Sequence, residues 1–168
     1  AASDVYKRQT VTGHSKGGNK AQYVTIVTDR IGRCVSFDGQ GFSKEFLEFY
    51  SARIEERKSI ITSISAEHDF VNSLLFPIAG DIKYIKADFD KKFGLNHCPN
   101  KVFNSNGELN EEVEQPAFLS RLISYLTKYS SATVSDSTLN AILEIISECV
   151  VVPTFLSESN KLCSLYIN

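Results

Sequence analysis

Val11-Thr12-Gly13-His14-Ser15-Lys16-Gly17-Gly18 is the stretch whose reading decides the fold. It reads Gly-x-Ser-x-Gly with a further glycine behind it. The pattern marks an elbow, in which a strand turns sharply into a helix and pushes a serine hydroxyl into a cleft. The serine of such an elbow holds a strained backbone conformation, and the helix passes close to the strand it leaves. Gly13 and Gly17 are therefore expected at the two positions where a side chain would collide. Ser15 would stand at a helix N-terminus, where exposed N–H groups favour negative charge. The main-chain N–H of Lys16 would be one oxyanion donor, with the Lys16 side chain turned to solvent.

The flanking sequence has the periodicities an elbow requires. Residues 10–12 read as the end of a strand. A helix is expected from residue 16 to about 28, with Ala21, Val24 and Val27 or Thr28 on one face, and Gly32 breaks it. Residues 34–37 form a short apolar strand that stops at the turn signal Asp38-Gly39. Ser43 is a plausible N-cap for a helix to about residue 58. Its buried face would hold Phe46, Leu47, Tyr50 and Ile54, with Glu55, Glu56, Arg57 and Lys58 facing water. The β-branched run 60–65 is a strand, and a polar loop then leads to a short apolar helix at 70–76. Residues 82–86 are another strand, followed by a loop through His97 to Gly107. This alternation predicts an α/β fold with a parallel sheet covered on both faces, and a site at the carboxyl ends of its strands. The acidic stretch 108–114 reads as a solvated loop. Pro116 can open a helix with Leu119, Leu122, Ile123 and Leu126 on one stripe. Ser135 or Asp136 can cap a last one, with Leu139, Ile142, Leu143 and Ile146 aligned.

A serine hydroxyl is a poor nucleophile unless a histidine takes its proton and an acid orients that histidine. The chain order for this fold is serine, acid, histidine. Of the three histidines, His14 adjoins the serine and is expected to point away from the elbow tip as a packing residue. His68 precedes a candidate acid, Asp69. Only His97 follows in the right order, after the strand that succeeds the acid's strand. Asp69 is the preferred acid because it lies two strands after the nucleophile strand. Asp38, at the end of the next strand, is the alternative acid; it is otherwise a pocket residue or a plain turn aspartate.

Gly13-His14-Ser15-Lys16-Gly17-Gly18-Asn19-Lys20-Ala21 is similar to the GHSKGGNLA motif of lipase-like bacterial proteins, a family of the α/β-hydrolase superfamily near the class 3 lipases. Asp38-Gly39-Gln40-Gly41-Phe42 looks like that family's DGPGF segment, with Gln40 in place of proline. Lys20 replaces the usual leucine, which is expected to weaken helix burial there. Asp69-Phe70-Val71-Asn72-Ser73-Leu74-Leu75 resembles the acid-bearing loop and apolar turn of class 3 lipases, and His97 takes the place of the base. The resemblance spans residues 10–103. It implies the C-terminal half of an α/β-hydrolase fold and a serine hydrolase acting on a small-molecule or lipid ester. Acyl transfer would run through an acyl-Ser15 intermediate, with His97 as base and then acid. No metal or organic cofactor is implied. The competing expectation is a non-catalytic binding or scaffold protein that keeps the elbow only as structure.

Composition agrees with a globular chain. Its 168 residues suit one domain, and a net charge of -2 without any basic cluster argues against a nucleic-acid partner. No apolar run approaches the roughly 20 residues of a membrane span. Cys34, Cys98, Cys149 and Cys163 fit no zinc spacing, and Cys34 and Cys149 sit in apolar runs as buried thiols. A reducing, cytoplasmic setting is therefore expected. The chain has no methionine, which suggests a fragment. Residues 3–9, Ser-Asp-Val-Tyr-Lys-Arg-Gln, look like the translation of a sequencing-library transposon adapter. The expected division is thus 1–9 as artefact, 10–131 as the α/β-hydrolase portion and 132–168 as a helical extension. A piece lacking the early strands is expected to be weakly folded or inactive.

Overall fold

The computed structural model describes residues 9–129. Five strands form one sheet in chain order: β1 (Gln9–His14), β2 (Ile31–Phe37), β3 (Ile61–Ala66), β4 (Asp81–Ile85) and β5 (Glu112–Val113). The first four are parallel, and β5 runs antiparallel to β4. The helices are α1 (Lys16–Val27), α2 (Lys44–Phe49), α3 (Ser51–Arg57) and α4 (Phe118–Tyr129). This is an α/β fold with a mixed sheet and flanking helices. Ala21, Ile26, Cys34, Ile54 and Ile61 bury one apolar cluster with Phe42 and Ile78. Ile64, Ala66, Ile85, Ala87 and Val102 form a second.

The β5 strand corrects the expected solvated loop. Val113 and Glu112 pair with Tyr84 and Ile85. Their acidic neighbourhood is drawn to β4 by lysines, Lys83 to Glu112 at 3.0 Å and Lys86 to Glu111 at 3.4 Å.

Helix α1 has the expected span and a different buried face. Gly18, Ala21, Gln22, Thr25 and Ile26 are buried, while Val27 is 40% exposed. The close approach to the sheet sets this phase. A Cβ at Gly18 would lie 2.6 Å from Ser36 Oγ and 3.1 Å from the Gly39 Cα. The polar residues so buried are satisfied: Gln22 Nε2 donates to Ser36 Oγ at 3.1 Å, and Thr25 Oγ1 to the Ala21 carbonyl at 2.7 Å. Lys20 faces water, so the charge there costs no burial. Gly32 lies inside β2, after the helix has already ended.

Ser43 caps α2 as expected, accepting the Phe46 N–H at 3.3 Å. The single predicted helix breaks at Tyr50 (φ -102°, ψ 17°) into α2 and α3. At the break the rings of Phe42, Phe46 and Tyr50 stack in turn, with centroids 4.3 and 4.7 Å apart. Arg57 does not face water. Its guanidinium donates to the carbonyls of Thr25 and Ile31, closing the C-terminal end of α1.

Residues 70–76 are turns, and no helix forms. Their main-chain groups are spent elsewhere. Asp69 Oδ1 accepts the Val71 N–H at 2.9 Å, the Leu74 carbonyl accepts the Gly41 N–H at 2.9 Å, and Phe76 exchanges main-chain bonds with Phe42. Helix α4 buries Ile123 and docks on this segment, where Thr127 Oγ1 accepts the Leu75 N–H at 3.2 Å. Cys34 is fully buried. The helix expected after residue 135, Cys149, Cys163 and the 132–168 extension lie outside the described residues.

The glycines of the elbow differ in their steric duty. A Cβ at Gly13 would run into the Gly17 carbonyl, whereas a Cβ at Gly17 would meet nothing within 4 Å. The expectation that Gly17 excludes a side chain is therefore corrected; Gly18 does so instead. Gly13→Ala is expected to cost about 3 kcal/mol or more in urea denaturation. Gly17→Ala is expected to stay within about 1 kcal/mol of wild type, on the stabilising side.

Candidate active site

The carboxyl edge of the sheet is drawn in by its own ladder. Beyond each strand one more N–H bonds to the next strand: Ser15 to the Phe37 carbonyl, Asp38 to Ile64 and Glu67 to Ile85, each at 2.9 Å. This places Ser15, Asp38 and the loop of Asp69 side by side.

Ser15 has φ 57° and ψ -126°, in the left-handed half of backbone space that non-glycine residues seldom enter. It immediately precedes α1, whose first residue is Lys16, and the Lys16 side chain is exposed.

Asp69 is fully buried. Its two oxygens are divided between two donors. Oδ1 takes the Val71 N–H, and Oδ2 lies 2.9 Å from His97 Nδ1. His97 enters from a 3-10 turn, Phe93–His97, and rests against the Phe70 ring at 5.8 Å between centroids. Its Nε2 is buried and has no hydrogen-bond partner. With Nδ1 engaged by a carboxylate, Nε2 is the nitrogen left to exchange a proton.

Asp38 is also fully buried and has φ 46°. Its Oδ1 accepts the Ala66 N–H at 2.7 Å and the Asn72 Nδ2 at 3.0 Å, while Oδ2 has no partner. Burial, and next the Asp69 carboxylate beside it, push the Asp38 carboxyl up to about 7. Asp38 therefore makes no hydrogen bond to His97, and it is Asp69 that does.

His14 is not turned away from the site. Its ring lies 4.6 Å from that of His97, and its Nε2 is 4.0 Å from Asp38 Oδ2. Strand alternation breaks where Ser15 leaves strand geometry, and His14 reaches the cluster of His97 and Asp38. Burial, and then the neighbouring His97, lower the His14 pKa. His68 stands apart, 4.0 Å from Glu67 and 5.4 Å from the Phe89 ring centroid.

Asn19 and Asn72 brace the main chain around the site in a way that patterning does not reveal. Asn19 Nδ2 donates to the Gln40 and Gly41 carbonyls at 3.2 and 3.1 Å, fixing the turn after Asp38. Asn72 ties Asp38 to the Ala66 carbonyl at 3.0 Å. Each is a polar residue in a loop or helix whose partner is distant in sequence. A separate cavity of about 300 Å³ is bordered by Ser63, Ser65, Asn72, Tyr84 and Arg121; Ser15, Asp69 and His97 do not line it. Among the described residues no cluster of His, Cys, Asp and Glu is arranged to hold a metal ion, and no helix is long and apolar enough to cross a membrane.

A crystal structure of M37 lipase is similar at 14% identity, over 73% of this chain and 32% of that one, with a TM-score of 0.31. The chain thus spans about a third of the length of that structure. No curated protein matches the sequence. A family model described as Mbeg1-like matches residues 2–89, more than half of the chain and all of β1 to β4. The chain belongs to the Mbeg1-like family.

Proposed function

We propose that this chain carries the core of a serine hydrolase of the α/β-hydrolase type, acting on an acyl ester. One observation carries the reading. Buried Asp69 engages His97 Nδ1 at 2.9 Å and leaves His97 Nε2 buried and unpartnered, on the edge where Ser15 holds its strained turn. In that arrangement His97 takes the proton of Ser15 as the hydroxyl attacks the ester carbonyl. It then returns the proton to the departing alcohol, leaving an acyl-Ser15. Asp69 fixes the tautomer and favours the imidazolium that forms. No hydrogen bond joins Ser15 to His97 Nε2, and sites without substrate commonly close this contact only on binding.

The N–H of Lys16, first in α1, is the proposed oxyanion donor. In hydrolases with this elbow the second donor comes from a loop earlier in the chain than the elbow strand. Chemical labelling of Ser15 reads out an activated serine directly. The alternative, a binding protein with a purely structural elbow, predicts no activated serine.

A fluorophosphonate probe distinguishes the two. The folded wild-type chain should label at Ser15, and Ser15→Ala should not. A cooperatively unfolding wild type that takes no label sinks the hydrolase reading. Asp69→Asn should slow labelling by about 10³–10⁴-fold, through loss of histidine orientation. If Asp38→Asn does this while Asp69→Asn is mild, the acid is Asp38.

A further inference from the structure

Two buried atoms at the site lack partners and face each other, His14 Nε2 and Asp38 Oδ2, 4.0 Å apart. As a bare imidazole nitrogen and a carboxylate oxygen they are two acceptors, and neither can satisfy the other. At 4.0 Å they are too far apart for a hydrogen bond, but a proton on either one ends the facing of two bare acceptors. The neighbours decide which group brings it.

The His14 ring meets the main chain of His97, an interaction that favours a ring proton. With Nδ1 as the donor there, Nε2 is the lone-pair side. Burial and the His97 ring, tilted against it at 4.6 Å, oppose a second ring proton. Asp38 faces the Asp69 carboxylate, and both are fully buried. Two dry carboxylates in one site do not both ionise cheaply. Their donors differ. Asp69 is met on both oxygens, by Val71 N–H and by His97, whereas Asp38 is met only on Oδ1. Glu67, in the same loop, is engaged elsewhere: its Oε1 accepts the Ala87 N–H at 3.0 Å and faces His68.

We propose that Asp38 is a positioning residue that acts as a neutral carboxylic acid, its Oδ2 turned toward His14 Nε2 at 4.0 Å while its Oδ1 holds the segment 66–72 in place. Asp69 then keeps the negative charge behind His97 to itself. The proposal rests on the hydrolase reading of Ser15, Asp69 and His97. The upward shift of the Asp38 carboxyl to about 7 agrees in direction: the acid keeps its proton through mildly acidic pH and yields it as pH rises past neutrality.

Two measurements on the full chain test this. In a chain labelled with 13C at aspartate carboxyls, the Asp38 carbon, assigned by its loss in Asp38→Asn, should read protonated at pH 6 and ionise around pH 7. The ring nitrogens of His14 should report the neutral Nδ1–H form at pH 6. An ionised Asp38 or an imidazolium His14 at that pH overturns the proposal and leaves the hydrolase reading intact. The second measurement is fluorophosphonate labelling at pH 6. Asp38→Ala should slow it about ten- to hundredfold by orphaning two buried donors, the Ala66 N–H and Asn72 Nδ2. Asp38→Asn, whose uncharged amide can still accept at Oδ1 and turns N–H groups toward His14, should restore most of that loss. An Asp38→Asn chain as slow as Asp38→Ala overturns the proposal, because charge would then be what matters. Failure of the folded wild type to label at all, with the carboxyl still titrating near pH 7, overturns the hydrolase reading and the positioning role with it.

Discussion

The contact on which the rest depends is the crossing of β1 and α1 at the elbow. The Gly13 Cα lies against the Gly17 carbonyl so closely that no Cβ fits between them. That closeness leaves Ser15 no room for an ordinary strand-to-helix link, and it takes up φ 57° and ψ -126°. A left-handed serine costs on the order of 1–3 kcal/mol. The cost is borne by bonds on either side: Ser15 N–H to the Phe37 carbonyl at 2.9 Å, and Asn19 N–H to the Ser15 carbonyl at 3.1 Å. The strained residue is therefore clamped by β2 on one side and by the first turn of α1 on the other.

The same ladder that clamps Ser15 brings in the acids. A parallel sheet offers carbonyls at the carboxyl end of every strand, and the chain uses the next N–H to reach them. Asp38 follows β2 in this way and is itself left-handed at φ 46°. Its carboxyl group then caps the end of β3 through the Ala66 N–H at 2.7 Å. Through Asn72 it also holds the turn that carries Asp69. Position therefore passes from elbow to turn to acid to histidine through main-chain bonds and two asparagine amides. Such a chain of polar contacts holds well only while it is dry, and Asp38 and Asp69 are both at 0% exposure.

What was legible in the sequence follows the range of the interactions. The strained strand-to-helix turn at Ser15, the four parallel strands and the Ser43 cap depend on neighbours within a few residues, and they stand close to where the pattern puts them, with β2 beginning three residues early at Ile31. The approach of Asp69 to His97 followed from chain order, because fold topology fixes which strand ends are adjacent. Three features did not follow. The apolar run 70–76 looks helical, but its N–H and C=O groups are claimed by Gly41, Phe42 and Thr127, far away in sequence. The stretch 108–114 looks like a solvated loop, because its main-chain partners, Tyr84, Ile85 and Lys86, lie far away in sequence. His14 looks like a strand residue pointing away from its neighbour, and the alternation rule fails at the one residue where the backbone leaves strand geometry.

Helix α1 shows how far the elbow overrides ordinary patterning. Rotating it to bury Val24 and Val27 would gain apolar area, roughly 25 cal/mol for each Å² removed from water. The same rotation would lift Gly18 from Ser36 and Gly39, where the backbones meet at van der Waals distance, and would carry the Ser15 turn with it. Residue 36 must then be small, because a Cβ at Gly18 or Gly39 would already strike its Oγ. A buried hydroxyl there needs a partner, and Gln22, at 2% exposure, supplies it at 3.1 Å. Gln22 is thus buried because Ser36 is, and Ser36 is small because Gly18 approaches. The weak amphipathicity of α1 is the visible trace of a helix phased by a turn rather than by its apolar residues.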